Sequence, residues 1–213
     1  MQKVFSHLTR ILAFESATKS TPSITELDWR YMRASIAALP SPCYYQAFGS
    51  VIVNATSKDL LCVGYNKEST TGDPTEHGEI DAIRNCVSKF RNDGLSIPEI
   101  DQVWKDAWIY TTAEPCPMCA TTILHAGFQR VIFASSGSDL YRLGWTRYLV
   151  SVGMQFMADK AAAQPGFGHG NPITVVVPGI ATNETEQLFN WQFSPNSDCP
   201  RGCHRHGAAC IED

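Results

Sequence analysis

The chain has 213 residues, 44% of them hydrophobic, and a formal net charge of −4 at pH 7. This length and composition predict one domain with a substantial core, and no run of about 18 apolar residues is present to span a membrane. The acidic balance makes a nucleic acid an unlikely partner, because proteins that bind nucleic acids usually present a basic surface.

Hydrophobic periodicity predicts helices that alternate with short strands. In chain order we expect a helix over Leu27 to Leu39, strands over Ala47 to Val53 and Leu60 to Tyr65, a helix from His77 to about Arg91, a strand over Ala107 to Thr111, a helix over Met118 to His125 and a strand over Gln129 to Ala134. This is the pattern of βαβ units, which predicts an α/β fold with parallel pairing and helices on the sheet faces.

The remaining segments give weaker signals. Asn92 to Lys105 contains Gly94 and Pro98 and reads as an insertion. A weak helix over Arg142 to Met157, a glycine-rich loop over Gln164 to Pro172 and an apolar run over Ile173 to Val177 follow.

Two short motifs contain zinc-binding residue types. His77-Gly78-Glu79 supplies a histidine, and a later Pro-Cys-Pro-Met-Cys run supplies Cys116 and Cys119. Because the two cysteines are three residues apart, they lie on one face of a helix and can reach one ion. Three protein ligands leave the fourth tetrahedral position to water, which is typical of catalytic zinc. The motifs therefore predict one Zn²⁺ per chain.

We expect both motifs to lie at helix N-termini. Thr75 is the predicted N-cap of the first helix, Pro115 suits the first position of the second, and Gly127 is its predicted stop. Helix dipoles that point at the ion stabilise the thiolates that bind it.

Glu79 distinguishes a reactive zinc from a structural one. Zinc lowers the pKa of its bound water from roughly 16 to about 7, and a nearby carboxylate can carry the released proton to the substrate. His-x-Glu followed by Pro-Cys-x-x-Cys is the known signature of zinc deaminases. The alternatives are a structural zinc in a catalytically silent binding protein and a redox-active cysteine pair.

These motifs resemble those of the CMP/dCMP-type zinc deaminases of the cytidine-deaminase-like superfamily, especially the guanine deaminase and tRNA adenosine deaminase branch. The resemblance covers Ala47 to Ala134. Gly78, the insertion after the histidine helix and the Trp-Gln-Phe then Cys-Pro-Arg-Gly-Cys ending resemble a fungal group of deaminase-like proteins. The resemblance to the zinc deaminases implies a three-layer α/β/α sandwich around a mixed sheet of about five strands, with His77, Cys116 and Cys119 as zinc ligands and Glu79 as the proton shuttle. Gly78 departs from the alanine that is commoner at this position.

The resemblance also implies substrate contacts. Asn66 matches an asparagine that touches the base, with a turn residue as the alternative. Asp139, followed by Gly144-Trp145, resembles the aspartate that reads guanine, with a loop cap as the alternative. Trp191 lies in an aromatic stretch, Phe189 to Phe193, that resembles a C-terminal segment folded over the pocket, in some cases across a swapped dimer.

The favoured function is therefore zinc-dependent deamination of a small-molecule base or nucleoside, with release of ammonia. Guanine is the favoured substrate, within purine metabolism, and a homodimer is expected, with or without domain swapping. Cytidine or dCMP, adenosine in tRNA and an unrelated aminated heterocycle are the alternatives.

We expect an N-terminal extension over residues 1–24, a deaminase domain over 25–193 and a cysteine-rich tail over 194–213. Of the eight cysteines, six lie outside the zinc motif and could form three disulfides. Cys62 and Cys86 fall inside a predicted strand and helix, where buried free thiols are expected. The tail is expected to be tied by disulfides, with a disordered tail or a metal clip built from its cysteines, His204 and His206 as alternatives.

The sequence is compatible with a location either in the cytoplasm or in the secretory pathway. Two N-glycosylation sequons begin at Asn54 and Asn183, and together with the six further cysteines they are compatible with secretion. The N-terminus is not a convincing signal peptide, because His7, Arg10 and Glu15 interrupt its apolar run.

Overall fold

A mixed five-stranded sheet forms the centre of the computed structural model, which describes residues 23–145, 150–156 and 174–213. Its strands are β1 (Gly49–Asn54), β2 (Leu60–Tyr65), β3 (Ala107–Ala113), β4 (Arg130–Ser135) and β5 (Val175–Val177), in the order β2-β1-β3-β4-β5. β1 runs antiparallel to β2 and β3, whereas β3, β4 and β5 are parallel. The predicted mixed sheet of about five strands is confirmed.

Helices cover both faces of this sheet. They are α1 (Glu26–Ala37), α2 (Glu68–Thr71), α3 (Gly78–Asn92), α4 (Ile97–Lys105), α5 (Pro117–Ala126), α6 (Gly137–Arg142) and α7 (Thr182–Asn190). Within the described ranges, none of them has both the length and the apolar character that crossing a membrane requires.

Alternate residues of each strand enter two separate apolar clusters. Ile52 and Ile109 pack with α3, α4 and α5, whereas their neighbours Val51 and Tyr110 pack with α1 on the opposite face. Since successive strand residues point to opposite faces, both faces of the sheet are buried. This arrangement is the predicted three-layer α/β/α sandwich.

Residues 92–105, predicted as an insertion, contain helix α4 instead. Ser96 and Glu99 form a capping box at its start, and Pro98 lies in the first turn, where a missing N–H costs nothing. Trp104 is buried between Phe90 and Phe128, with ring centroids 5.7 and 5.6 Å away. The segment that was predicted as an insertion therefore contains a helix that completes the core.

The expected helix over Arg142 to Met157 is wrong as one element. α6 ends at Arg142, and Gly144 then adopts a left-handed φ of 99°. Residues 152–156 are helical again, and the rest of that range is only partly described. The loop Gln164 to Pro172 lies outside the described residues, and the run Ile173 to Val177 contains β5.

The C-terminal tail is tied by disulfides, as expected. It forms a hairpin of β6 (Cys203–His206) and β7 (Ala209–Glu212), in which Cys199 bonds to Cys210. Cys203 bonds across the molecule to Cys43, before β1. The alternative of a metal clip is wrong, because its three cysteines are all consumed in disulfides.

Cys62 and Cys86 are joined in a disulfide, so the prediction of two free thiols is wrong. The bond links β2 to α3, whose backbones lie unusually close. A Cβ atom added at Gly64 of β2 would lie 2.2 Å from the backbone nitrogen of Ala82 in α3. Glycine therefore permits the close approach that brings the two cysteines within bonding distance, with Cα atoms 5.4 Å apart.

Hydrogen bonds fix the position of α3 on β2 as well. The Asp81 carboxylate accepts from the backbone N–H of Tyr65 at 3.1 Å and pairs with Lys67 at 2.7 Å. Asn85 donates to the Val63 carbonyl at 2.9 Å. These contacts hold the helix in one register against the sheet.

We predict that Gly64→Ala destabilises the fold by at least about 1–3 kcal/mol, the usual cost of overpacking, because its new methyl group meets the α3 backbone. Gly153→Ala is the matched control, since a Cβ there has no heavy atom within 4 Å. Thermal and denaturant unfolding of both variants measure the difference. Equal stability of the two variants would contradict the close packing of α3.

Candidate metal centre and active site

The predicted metal ligands meet at the N-termini of two helices. His77 is the N-cap residue of α3, Cys116 is the N-cap residue of α5, and Cys119 lies in the first turn of α5. The His77 Nδ1 atom is 3.5 Å from the sulfur of each cysteine, and the three candidate ligand atoms lie within 4.8 Å of one another. The N-termini of both helices therefore meet at the candidate metal site.

Both predicted helix starts are wrong by two residues. Thr75 does not cap α3; its N–H and hydroxyl both donate to Asp73 in the preceding turn. Pro117, not Pro115, occupies the first position of α5. Gly127 ends α5 in a left-handed conformation, as predicted. The shift places the ligands themselves at the caps, in direct line with the helix dipoles.

The two nitrogen-to-sulfur distances fit tetrahedral zinc. A zinc ion about 2.3 Å from sulfur and about 2.0–2.1 Å from nitrogen, with a tetrahedral angle between them, separates the two ligands by about 3.6 Å. The observed nitrogen-to-sulfur distances are both 3.5 Å. Two thiolates and an imidazole are also the ligand types that zinc prefers, so the residues fit the metal.

The pKa values of the two cysteines are shifted in opposite directions. A hydrogen bond from Cys119 and the proximity of His77 lower the pKa of Cys116 to about 4. The same hydrogen bond, together with burial, raises the pKa of Cys119. The hydrogen bond to Cys116 also raises the pKa of His77. A cation bound between them would favour both thiolates and the neutral imidazole.

Glu79 lies buried in the first turn of α3, with 4% of its surface exposed. Burial raises the pKa of its carboxyl group to about 7, and the negative charge of Cys116 adds to this effect. A group that titrates near neutral pH can both accept and release a proton under working conditions. Glu79 is two residues from His77, and Cys116, His77 and Cys119 all contribute to its pKa, so the carboxyl group lies beside the metal ligands.

Gly78 has a structural reason to lack a side chain. A Cβ there would lie 2.3 Å from the carbonyl oxygen of Phe48, which already accepts a hydrogen bond from the N–H of Asn66. The glycine lets α3 approach the start of β1 closely. Phe48 and Asn66 are therefore held directly beside the metal ligands.

A cavity of about 490 Å³ opens onto this centre. Its polar lining includes His77, Cys116, Asn66, Glu68 and Gln46. Its aromatic lining consists of Tyr45, Phe48, Trp145 and Phe193. Flat aromatic faces with a few polar groups are suited to a planar heterocycle.

The structure brings only one of the three predicted substrate contacts to this cavity. Asn66 lines it and is itself almost fully buried. Asp139 instead forms a capping box with Ser136 at the start of α6 and pairs with Arg142. Trp191 is buried beneath the tail, against Cys43 and Cys210. Neither Asp139 nor Trp191 is among the described residues that line the cavity.

The C-terminal segment contributes Phe193 to the cavity in place of Trp191. The Phe193 ring packs edge-on against Trp145, with centroids 4.9 Å apart. Gly144 allows this contact, because a Cβ there would lie 2.7 Å from the Cβ of Phe193. Among the described residues, the segment thus closes the cavity of its own chain.

The same segment holds the rim of the cavity, residues 43–46. Gln192 accepts a hydrogen bond from the backbone N–H of Gln46 at 2.9 Å, and its amide donates to Leu188 in α7. The Cys43–Cys203 disulfide ties the start of the rim to the tail hairpin. Sequence reasoning did not identify Gln46, Tyr45 or Glu68, because nothing in the local pattern shows that these segments meet.

Comparison with known proteins identifies the region around the metal centre. A model of the cytidine and deoxycytidylate deaminase zinc-binding region matches residues 25–135. The chain is 30% identical over 116 residues to a tRNA-specific adenosine deaminase of Haemophilus influenzae, across 53% of this chain and 60% of that protein. It is 34% identical over 98 residues to a guanine deaminase of Bacillus subtilis, across 46% and 56%. The matches span little more than half of these two relatives.

Other comparisons support the same fold. A probable cytosine deaminase of Schizosaccharomyces pombe is 28% identical over 126 residues, across 58% of this chain and 70% of that protein. A solved structure from studies of A-to-I editing by tRNA:A34 deaminases has a TM-score of 0.53 at 23% identity, across 75% of this chain and 98% of the other. The protein NE0047 in complex with 2,6-diaminopurine has a TM-score of 0.53 at 20% identity, across 79% of each chain.

We predict that Cys116→Ser lowers zinc affinity by more than about 100-fold, because it removes a direct ligand, and even changes to outer partners cost about 10–100-fold. Metal analysis of the purified protein and competition with a chelator measure the effect. The Cys43→Ser/Cys203→Ser variant is the control and should retain one zinc per chain. Unchanged zinc affinity in Cys116→Ser would contradict the proposed ligand set.

We also predict that Cys43→Ser/Cys203→Ser lowers the free energy of unfolding by about 2–4 kcal/mol, because this disulfide closes most of the chain into a loop. The sequence separation is 160 residues, against 11 for Cys199–Cys210. Cys199→Ser/Cys210→Ser is the matched control, with a smaller expected loss. Denaturant unfolding compares the two, and an equal or larger loss in the control would contradict the prediction.

Proposed function

The chain belongs to the cytidine and deoxycytidylate deaminase zinc-binding family, and from that premise we propose that it is a zinc-dependent hydrolytic deaminase of a nucleobase or nucleoside, with guanine as the favoured substrate. The observation that carries the proposal is the placement of a buried carboxylate, Glu79, beside a three-residue zinc site that faces a cavity with aromatic walls. A structural zinc site has no need of that carboxylate or that cavity.

The aromatic residues would bind and orient the base. Phe48 and Phe193 each pack against Trp145, with centroids 5.0 and 4.9 Å apart, so the walls are mutually supported. A planar ring held by such faces exposes its edge to the polar groups of the cavity. Asn66 is an amide of the cavity lining that would hydrogen-bond that edge.

Zinc, held by His77, Cys116 and Cys119, would supply the Lewis acidity that activates a water molecule for attack on the amine-bearing carbon. Glu79 would accept the proton released by the water and deliver protons to the ring nitrogen and the departing amine. Overall, one water is consumed, a carbonyl replaces the amine, and one ammonia leaves. Burial raises the pKa of the Glu79 carboxyl group to about 7, so this group can both accept and release a proton near neutral pH.

The lining supports an uncharged substrate rather than a nucleotide. Among the described residues that line the cavity there is no lysine or arginine to neutralise a phosphate, and Glu68 adds negative charge. Together with the net charge of −4, this disfavours dCMP and tRNA. Guanine remains the preferred base, supported by the similarity to a guanine deaminase. The homodimer stays a prediction.

We predict that Glu79→Gln reduces kcat by about 10²- to 10⁴-fold, the usual contribution of a general acid–base group. Zinc content should not change, because Glu79 is not a ligand. Ammonia release from a panel of guanine, guanosine, cytidine, dCMP and adenosine is the assay, and Glu212→Gln, an exposed residue of the tail hairpin, is the control.

Two results would overturn the proposal. Zinc-loaded wild type that releases no ammonia from any panel member would favour a catalytically silent binding protein. A Glu79→Gln variant as active as wild type would show that this carboxylate carries no proton in the reaction.

A further inference from the structure

Every cysteine outside the metal centre is paired in a disulfide. These six cysteines form the pairs Cys43–Cys203, Cys62–Cys86 and Cys199–Cys210. The paired Cα atoms are 5.4 to 6.0 Å apart, within the range that a disulfide requires. The two cysteines that stay reduced are the candidate zinc ligands. Because disulfides persist in oxidising compartments and are rare in the cytosol, this cysteine usage is typical of a protein that folds in the secretory pathway.

The first N-glycosylation sequon, Asn54-Ala55-Thr56, lies in the turn between β1 and β2. The Asn54 Oδ1 atom accepts hydrogen bonds from the backbone N–H groups of Thr56 at 2.9 Å and Ser57 at 2.7 Å. Both bonds use the amide oxygen, whereas an N-linked sugar is attached to the amide nitrogen, so the turn keeps its hydrogen bonds after modification. Thr56 is exposed, and its hydroxyl donates to Asp106 at 3.0 Å. The folded turn therefore presents both residues that the sequon requires.

The second sequon, Asn183-Glu184-Thr185, lies in the first turn of α7. Asn183 is exposed, whereas Thr185 is fully buried. The Thr185 hydroxyl lies 2.8 Å from that of Ser135 in β4 and donates to the Thr182 carbonyl at 3.1 Å. The sequon is recognised through its hydroxyl residue as well as its asparagine. Asn183 is thus open to modification only until α7 packs against the sheet, although a glycan already attached there would lie at the surface.

Both asparagines are separate from the substrate cavity. Asn54 ends β1, six residues after Phe48, which lines the cavity. At about 3.3 Å per strand residue, Asn54 and Phe48 are about 20 Å apart. Asn183 is not among the described residues that line the cavity. Glycosylation of either asparagine is therefore independent of whether the protein is a deaminase.

We propose that the chain folds in the secretory pathway and carries N-linked glycans on Asn54 and Asn183. At each site the amide Nδ2 atom forms a bond to the anomeric carbon of an oligosaccharide. The bond from that carbon to a lipid diphosphate carrier breaks, the diphosphate leaves, and one amide proton is lost. The glycan on Asn183 is attached before α7 packs, whereas Asn54 stays accessible in the folded chain.

The first experiment uses the full chain isolated from the cells that produce it. An amidase that removes N-linked glycans converts each glycosylated asparagine to aspartate and, in isotopically labelled water, labels the new carboxylate. Mass spectrometry should find the label at positions 54 and 183 and none at Asn92, an exposed asparagine outside any sequon. Alkylation of the denatured but unreduced protein should modify Cys116 and Cys119 alone.

Several results would overturn the proposal. Absence of label from both sequons, or alkylation of the six other cysteines without a reductant, would exclude folding in the secretory pathway with glycans on these asparagines. Label at one position alone would overturn the assignment of the other site.

Variants directed to the secretory pathway of a eukaryotic cell assign each glycan to its site. Thr56→Ala leaves Asn54 in place but removes the sequon, so it should abolish that glycan and leave the one on Asn183. Thr56→Ser keeps the sequon and should retain both glycans. Asn183→Gln should lose the second glycan only, and Asn92→Gln, the control, should lose none. A glycan that persists on Asn54 in Thr56→Ala would contradict the assignment.

The order of folding and glycosylation is tested with a purified oligosaccharyltransferase and its lipid-linked donor. The unglycosylated chain, folded with its disulfides and zinc, is compared with the same chain reduced and unfolded. Folding should suppress modification of Asn183 far more than that of Asn54, because Thr185 is buried and Thr56 is exposed. Equal modification of Asn183 in the folded and unfolded chains would overturn the proposed order.

Discussion

The close approach of α3 to the first two strands is the constraint on which the site depends. Glycine at Gly64 and Gly78 removes the Cβ atoms that would collide with the backbone of the opposing element. The Cys62–Cys86 disulfide and the Asp81 contacts then hold the helix where those glycines permit it. Because His77 and Glu79 lie at the first turn of this helix, its position sets the distance from both to Cys116 and Cys119.

A second constraint fixes the wall opposite the metal. The C-terminal segment reaches the cavity through Phe193, and the tail hairpin is bonded to the rim through Cys43. Gln192 adds a hydrogen bond to the same rim. The metal side of the cavity is thus built by the sheet and two helices. The opposite side depends on a C-terminal segment that meets rim residues nearly 150 positions earlier in the chain. The two sides can differ independently, so proteins with the same kind of metal centre can have differently shaped cavities opposite it.

The sequence predicted the metal side well because its signals are local. The spacing of Cys116 and Cys119 and the periodicity of α3 both act within a few residues, and these elements formed as expected. Ser136 and Asp139 are three residues apart at a helix start, which is a capping pattern, and this signal could have revealed the structural role of Asp139. The substrate side was less predictable because it depends on contacts between distant segments. Whether Trp191 or Phe193 faces the cavity depends on how the tail packs, and the pairing of Cys62 with Cys86 depends on the approach that Gly64 allows.

In the proposed reaction, the zinc site and Glu79 together replace the amine of a heterocyclic ring by a carbonyl oxygen from water. The most direct test is to incubate the zinc-loaded protein with guanine in isotopically labelled water and to measure ammonia and the label in the product by mass spectrometry. We expect one ammonia and one labelled carbonyl oxygen for each product molecule, and neither when zinc is removed. Product that contains no solvent oxygen, or turnover that continues without zinc, would contradict it.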